Sequence, residues 1–295
     1  MANRFGLKRH IPENIKLEVR RRSKFGCVVC RCAIYQYEHI EPEYVDATTH
    51  EPDKICLLCG GCHDKVTRGR LSKETVKALY IEVQGSNEIH RPFEELDLSA
   101  QNICVEMGTA KFEYAHHLLR INGRNLLSIT PPKEGSSFPT LNGVFCDHTG
   151  REIFQITDNV WEGPIDAWDI RVVGTEVTIK SEGGRTALAF RIRPPDKIEI
   201  SHLDMYLDNC HIICDKQGLF VGQVHDTGHT YIGIGHLICK GAEIGIDVDS
   251  QGDNRPIFSG FSIIGGEGIV LNGTGIRIAV GAGTMNVGDI RIWNK

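Results

Sequence analysis

The stretch that decides the fold runs from Cys27 to Thr67 and reads CVVCRCAIYQYEHIEPEYVDATTHEPDKICLLCGGCHDKVT. It contains six of the chain's eleven cysteines, and two CxxC pairs bracket it. Each pair can place two thiolates on one tetrahedral ion, so a single structural Zn²⁺ would clamp the two loops together. The predicted zinc ligands are Cys27, Cys30, Cys59 and Cys62.

The cysteine content also indicates the compartment. The N-terminal residues are charged and lack the apolar core of a signal peptide, and no apolar run is long enough to cross a bilayer. We therefore expect a reducing cytoplasm, where CxxC pairs bind metal rather than form disulfides. The two remaining cysteines of the stretch, Cys32 and Cys56, are expected to pack as small apolar residues.

Charge is distributed unevenly along the chain. Residues 1–75 contain fourteen Lys and Arg against ten Asp and Glu, whereas the remaining residues contain nineteen against twenty-eight. A basic module joined to an acidic one is typical of a nucleic-acid-binding unit with a partner domain, although an imbalance this small also arises by chance.

Hydrophobic periodicity predicts that the residues before 86 form a small module of helices and short strands. Ile11, Ile15 and Val19 recur every four residues and predict a helix over 12–24, and a second helix is predicted over 73–83. Between them the sequence predicts strand, loop, strand and helix, with a metal knuckle at each joint. We place the module at 1–85 and a polar linker at 86–101.

Residues 102–295 predict an all-β domain. Short alternating segments are separated by Gly, Asn and Asp, and Asn122-Gly123 is a strong hairpin signal. Seventeen of the 32 glycines follow Cys210. This spacing favours a β-solenoid over a β-sandwich, although no strict repeat period is present. The overall fold class is therefore α+β, and the β domain is a candidate sensor, partner-binding or oligomerisation module.

Two segments inside the opening stretch carry a family resemblance. Glu38-His39-Ile40-Glu41-Pro42, followed by Leu57-Leu58-Cys59-Gly60-Gly61-Cys62-His63-Asp64-Lys65, resembles the HNH endonucleases whose ββα-metal motif is stapled by four cysteines. The resemblance covers roughly residues 12–70. Residues 147–169 are similar to an uncharacterised β-rich extension that follows such modules in some bacterial proteins, and this second likeness implies no activity.

The resemblance implies roles for particular residues. His39 would be the general base that takes a proton from water, and Glu38 and His63 would hold one divalent cation. The chemistry is reasonable on its own terms, because a neutral imidazole accepts protons near neutral pH and such a site suits Mg²⁺, Mn²⁺ or Ni²⁺. The sequence departs from the family at Lys54, where the middle Asn is expected. His50 and Asp53 are the nearby polar candidates for orienting His39, and His50 is the better of the two. Lys54 is itself a catalytic candidate, with a phosphate contact as its alternative role.

These features lead to competing hypotheses. The first is a metal-dependent HNH endonuclease that hydrolyses DNA, with a role in restriction or phage defence by analogy. Its β domain would form a homo-oligomer or bind a regulatory partner. The second is a non-catalytic zinc-stapled nucleic-acid-binding module, and the third is a structural β-solenoid with a vestigial nuclease module. The predicted phosphate contacts are Arg20, Arg21, Arg22, Lys24, Lys65, Arg68 and Arg70, each of which competes with a solvated surface role.

Overall fold

The computed structural model describes residues 2–85, 91–164 and 166–225, followed by the backbone of short strands between 228 and 294. The chain forms two compact units. The first contains Met1–Glu94, Glu162–Gly174 and Ile179–Gly184, and the second contains the rest. The two short later segments that the sequence analysis had assigned to the β domain therefore belong to the first unit.

Helices are confined to the first unit in the part of the chain that the structure describes. They are α1 (Glu13–Arg22), α2 (Gly60–Thr67) and α3 (Lys73–Gly85), with 3-10 turns at Pro52–Lys54 and Glu182–Gly184. No described helix has the length and apolar character that crossing a membrane requires.

Strands make up most of the remaining described structure. They are β1 Gln36–His39, β2 Ile55–Leu58, β3 Phe93–Glu95, β4 Cys104–Met107, β5 Ala110–Glu113, β6 His117–Ile121, β7 Arg124–Thr130, β8 Thr140–Cys146, β9 Glu152–Thr157, β10 Val160–Glu162, β11 Asp169–Val173, β12 Glu176–Lys180, β13 Thr186–Arg193, β14 Lys197–Leu207, β15 Cys210–Asp215, β16 Gly218–His225, β17 Gly228–Ile234, β18 Leu237–Lys240, β19 Ile244–Val248, β20 Phe261–Ile264, β21 Gly268–Asn272, β22 Gly275–Ala279, β23 Met285–Val287 and β24 Ile290–Asn294.

The first helix forms where periodicity predicted it. Pro12 precedes the first turn, where its missing N–H costs nothing, and basic side chains end the helix, where they complement its dipole. Val19 is fully buried against Ile55 and Leu57 of β2. The predicted helix over 12–24 is confirmed, with its end two residues earlier.

A two-stranded antiparallel ribbon, β1 with β2, places the residues of the family resemblance. Glu38 pairs with Cys56, and His39 pairs with Ile55. Tyr35, Tyr37, Ile55 and Leu57 face the α1 cluster, whereas Ile40, Cys56 and Leu58 pack with Val76, Tyr80 and Val83 of α3. Because strand side chains alternate, Glu38 lies on the α3 side of the ribbon and His39 on the α1 side.

The second unit is built from two extended β-sheets. Neighbouring strands follow the order β22-β21-β20-β19-β6-β7-β8-β9-β10 in one sheet and β23-β18-β5-β4-β14-β15-β16-β17-β24 in the other, where β13 also pairs with β14. Most pairs are antiparallel, and parallel pairs join β4 to β14, β5 to β18 and β6 to β19.

The β-rich character is therefore confirmed, whereas the solenoid is not. A solenoid stacks equivalent strands of successive coils in parallel, but β13 to β17 pair with their sequence neighbours as an antiparallel meander. The predicted hairpin is present, with Asn122 at φ 48° and Gly123 at φ 77° between β6 and β7. These positive φ values are those of the type I′ turn that Asn-Gly favours.

Candidate active site

Four thiols converge as the CxxC spacing predicted. The Sγ atoms of Cys27, Cys30, Cys59 and Cys62 all lie within 4.8 Å of one another. Four sulfurs about 2.3 Å from a tetrahedral Zn²⁺ would be roughly 3.8 Å apart, and Cys30 Sγ lies 3.5 Å from Cys59 Sγ. Both the geometry and the all-sulfur donor set fit a structural zinc ion.

The second knuckle is formed by the start of α2. Cys59 is the N-cap residue, and its thiol accepts a hydrogen bond from the Cys62 backbone N–H at 3.4 Å. Burial opposes ionisation of the Cys59 thiol, but hydrogen bonds from that N–H and from the neighbouring thiols lower its pKa overall. Thiolate is the form that binds metal, so the helix start favours the ligand state.

Arg31, which the sequence analysis did not single out, lies within the first knuckle. Its guanidinium donates to the backbone oxygens of Lys24 at 2.7 Å, Ser23 at 3.2 Å and Cys27 at 3.4 Å. Burial lowers its pKa to about 10, while the nearby Cys27 and Cys30 thiols act in the opposite direction. Arg31 therefore places a positive charge beside a site that becomes negative when four thiolates hold one Zn²⁺.

The predicted carboxylate and helix histidine lie together. Glu38 Oε2 lies 3.2 Å from His63 Nε2, and both side chains are partly exposed. Lys73, at the start of α3, lies 3.8 Å from Glu38 and 2.8 Å from Glu43. The structure thus brings a carboxylate and an imidazole to one place from β1 and α2, beside an ammonium group that sequence reasoning missed.

The two predicted catalytic histidines also meet. His39 Nε2 lies 3.2 Å from His50 Nδ1, and the His39 ring centroid lies 5.6 Å from that of Tyr44. Burial, followed by the charges of His50 and Lys73, lowers the pKa of His39 to about 4. His39 is therefore a neutral imidazole at neutral pH, with a ring nitrogen able to accept a proton.

Glu38 and His39 belong to two adjoining groups rather than one. They leave β1 toward opposite faces, yet both lie at the end of the strand, where the chain leaves the ribbon. Lys73 contacts Glu38 and also contributes to the lowered pKa of His39, so the two groups share one electrostatic environment.

Lys54 ends the 3-10 turn that precedes β2. Its ammonium forms an ion pair with Glu51 at 2.8 Å, and its backbone oxygen accepts a hydrogen bond from the N–H of Ile40, the residue after β1. The Lys54 side chain lines a cavity of about 490 Å³ with Glu41, Lys77 and others. The Lys54 ammonium is therefore held by Glu51 in this structure, and its predicted role in catalysis or phosphate contact stays a prediction.

The predicted phosphate contact of Arg20 is contradicted by the position of its side chain. Its side chain is buried and donates to both carboxylate oxygens of Asp169 at 2.7 Å and to the Tyr37 hydroxyl at 2.7 Å. A guanidinium held in this way cannot contact a phosphate. Sequence reasoning missed Asp169 because 148 residues separate it from its partner.

The other predicted phosphate contacts remain on the surface. Arg21 lies over the Trp168 ring at 4.3 Å from its centroid and donates to the Trp168 backbone oxygen. Arg22 pairs with Glu18 along the helix. Lys24 is partly exposed. Lys65, Arg68 and Arg70 are exposed at and just after the end of α2, and Arg68 pairs with Asp64.

The chain matches no family model, no curated protein and no solved structure. The HNH resemblance therefore depends on the residues quoted from the sequence and on the contacts described above.

Proposed function

We propose that the chain is a metal-dependent endonuclease of the HNH type that hydrolyses phosphodiester bonds in DNA. The observation that carries the proposal is the meeting of Glu38 with His63 at the end of β1, next to the buried neutral His39. Such a hydrolysis needs a carboxylate and an imidazole that bind the metal ion, and a second, neutral imidazole that acts as the base.

Each group has one task in the proposed reaction. His39 accepts a proton from water, whose oxygen forms a new bond to phosphorus as the bond to the leaving oxygen breaks. The leaving oxygen is protonated from solvent. Glu38 and His63 would hold Mg²⁺, Mn²⁺ or Ni²⁺, which supplies charge stabilisation at the phosphate when bound. Lys65, Arg68 and Arg70 would contact the DNA backbone.

The four-cysteine cluster supports this arrangement as a structural element. It joins the loop after α1 to the start of α2, and His63 directly follows the last of the four cysteines. We propose that the zinc site is structural, with all four of its positions filled by cysteines, whereas the catalytic cation would occupy a separate and more exposed site.

The second unit would control the nuclease activity of the first. A nuclease that is always active damages its own cell, so an acidic β unit that binds a regulatory partner or promotes self-association is the proposed source of restraint. A role in restriction or phage defence follows by analogy alone.

A second candidate is a non-catalytic zinc-stapled nucleic-acid-binding module. Two observations favour it: the Lys54 side chain pairs with Glu51, and an ammonium group lies beside Glu38, where a cation would bind. For Glu38 to bind the catalytic cation, the Lys73 ammonium must move away from Glu38 while it keeps its shorter contact with Glu43.

Manganese binding and DNA cleavage separate the two candidates. Isothermal titration of the zinc-loaded protein with Mn²⁺ should show one further site, which Glu38→Ala and His63→Ala should each weaken by at least about tenfold. The same variants should lose plasmid cleavage while retaining DNA affinity. Glu82→Ala, which removes an exposed α3 carboxylate, is the control. A wild-type protein that binds DNA without cutting it in Mg²⁺, Mn²⁺ or Ni²⁺ would favour the non-catalytic module.

A further inference from the structure

The N-terminal loop, residues 2–8, is shaped by a single side chain. Asn3 Oδ1 accepts hydrogen bonds from the backbone N–H groups of Phe5 at 3.1 Å and Leu7 at 2.9 Å. The Asn3 N–H donates to the Leu7 backbone oxygen, and Ala2 bridges to Lys8. The loop is therefore folded on itself by hydrogen bonds between its own residues.

The same asparagine attaches this loop to the segment that follows β1. Asn3 Nδ2 donates to the backbone oxygens of Tyr44 at 2.5 Å and Ala47 at 2.7 Å. The Tyr44 hydroxyl donates to the Leu7 backbone oxygen at 2.8 Å, and Arg4 pairs with Asp46. The attachment therefore uses specific groups on both sides, and one of them, Tyr44, lies beside the His39 ring.

The end of the N-terminal loop contacts the histidine pair. The Lys8 backbone oxygen lies 2.9 Å from His50 Nε2. Because a carbonyl oxygen only accepts, His50 Nε2 must carry a proton, and in the tautomer that has no proton on Nδ1 this second nitrogen offers a lone pair. That lone pair faces His39 Nε2 at 3.2 Å, so His39 Nε2 must be the donor. The neutral His39 ring is left with its lone pair on Nδ1.

We propose that the N-terminal loop is a positioning element of the active site, which acts from the Lys8 carbonyl through His50 to fix the tautomer and orientation of His39. This inference rests on the proposed function for its catalytic consequence, because Nδ1 is then the atom that accepts the proton of water. The carbonyl and His50 together perform the orienting task of the middle Asn that the resembled family has where this chain has Lys54. His50 is a positioning residue, and it acts on the reaction only through His39.

Nuclear magnetic resonance of the full chain labelled with ¹⁵N-histidine reads the tautomer directly, and His39→Ala identifies the relevant signals. We expect His39 in the wild type to carry its proton on Nε2. Asn3→Asp keeps the oxygen that shapes the loop but replaces both donated hydrogen bonds by repulsion from the Tyr44 and Ala47 oxygens. It should give a mixture of tautomers, whereas the same substitution at the exposed Asn14 should leave His39 unchanged.

Cleavage kinetics give the second readout. Asn3→Asp should lower kcat about tenfold with little change in DNA affinity, since misplacing a catalytic group costs rate rather than binding. His50→Ala should lower kcat further. His50→Gln should restore part of it, because an amide can donate to Lys8 and accept from His39 at once. Zinc content and circular dichroism establish that each variant is folded.

The outcomes separate this inference from the proposed function. A wild-type His39 protonated on Nδ1, or a tautomer and kcat unchanged in both Asn3→Asp and His50→Ala, would overturn the positioning role while leaving the nuclease intact. A wild-type chain without cleavage would overturn the nuclease, and the tautomer measurement would still decide whether the N-terminal loop fixes His39.

Discussion

The buried pair of Arg20 and Asp169 should contribute heavily to the stability of the first unit. Both side chains are less than a tenth exposed, and two bonds of 2.7 Å join them. Removing one partner of such a pair leaves an uncompensated buried charge, which typically costs about 3–5 kcal/mol. We expect Asp169→Ala to destabilise the first unit by this amount. Replacing both residues, Arg20→Met with Asp169→Leu, should recover most of the loss.

The matched control is the arginine two residues further along α1. Arg22 pairs with Glu18 at 2.9 Å on a surface where both side chains are more than a third exposed, so Arg22→Met should cost only about 0.3–0.5 kcal/mol. Urea unfolding followed by hydrogen exchange in peptides of α1, β1 and β2 reports on this unit alone. If Asp169→Ala costs no more than Arg22→Met, the pair is solvated in solution, and Arg20 returns to the set of phosphate contacts.

Three further predictions test the staple, the DNA surface and the β unit. Cys59→Ser should lose the zinc, measured as about one ion per chain in the wild type by elemental analysis, and retained zinc would mean another ligand set. The double variant Lys65→Ala, Arg70→Ala should lower DNA affinity equally for all sequences. It should also reduce the slope of log binding constant against log salt concentration by about two, whereas the exposed Lys133→Ala should leave that slope unchanged. An unchanged slope in the double variant would mean that these two residues do not contact DNA. Gly123→Ala, at φ 77°, should destabilise the second unit by about 1 kcal/mol in urea, and a neutral result would contradict the turn assignment.

The local structure of the first unit could be predicted because its signals are short in range. Four-residue spacing predicted α1, CxxC spacing predicted the converging thiols, and Glu38 and His39 lie on the strand that the sequence predicted beside a short helix, α2. In each case the deciding residues are neighbours in sequence, or have the spacing of ligands to one ion of known geometry.

The features that sequence missed depend on contacts between distant residues. Nothing near Arg20 indicates that Asp169 neutralises it, so its position in a run of three arginines made it resemble a phosphate contact. In the same way, a carbonyl carries no side-chain signature, so the contact of Lys8 with His50 was not foreseeable. Short glycine-separated strands fit parallel coils and antiparallel hairpins equally well, because strand pairing is decided by partners outside the segment.

The central claim is that His39 is the base of a DNA-cutting site, and plasmid cleavage by His39→Ala tests it most directly. With equal zinc content and equal DNA affinity, the wild type should nick or linearise supercoiled plasmid in Mg²⁺, Mn²⁺ or Ni²⁺. The variant should be slower by roughly 10²–10⁴-fold, the usual contribution of a general base. Cleavage by His39→Ala at the wild-type rate would contradict the account.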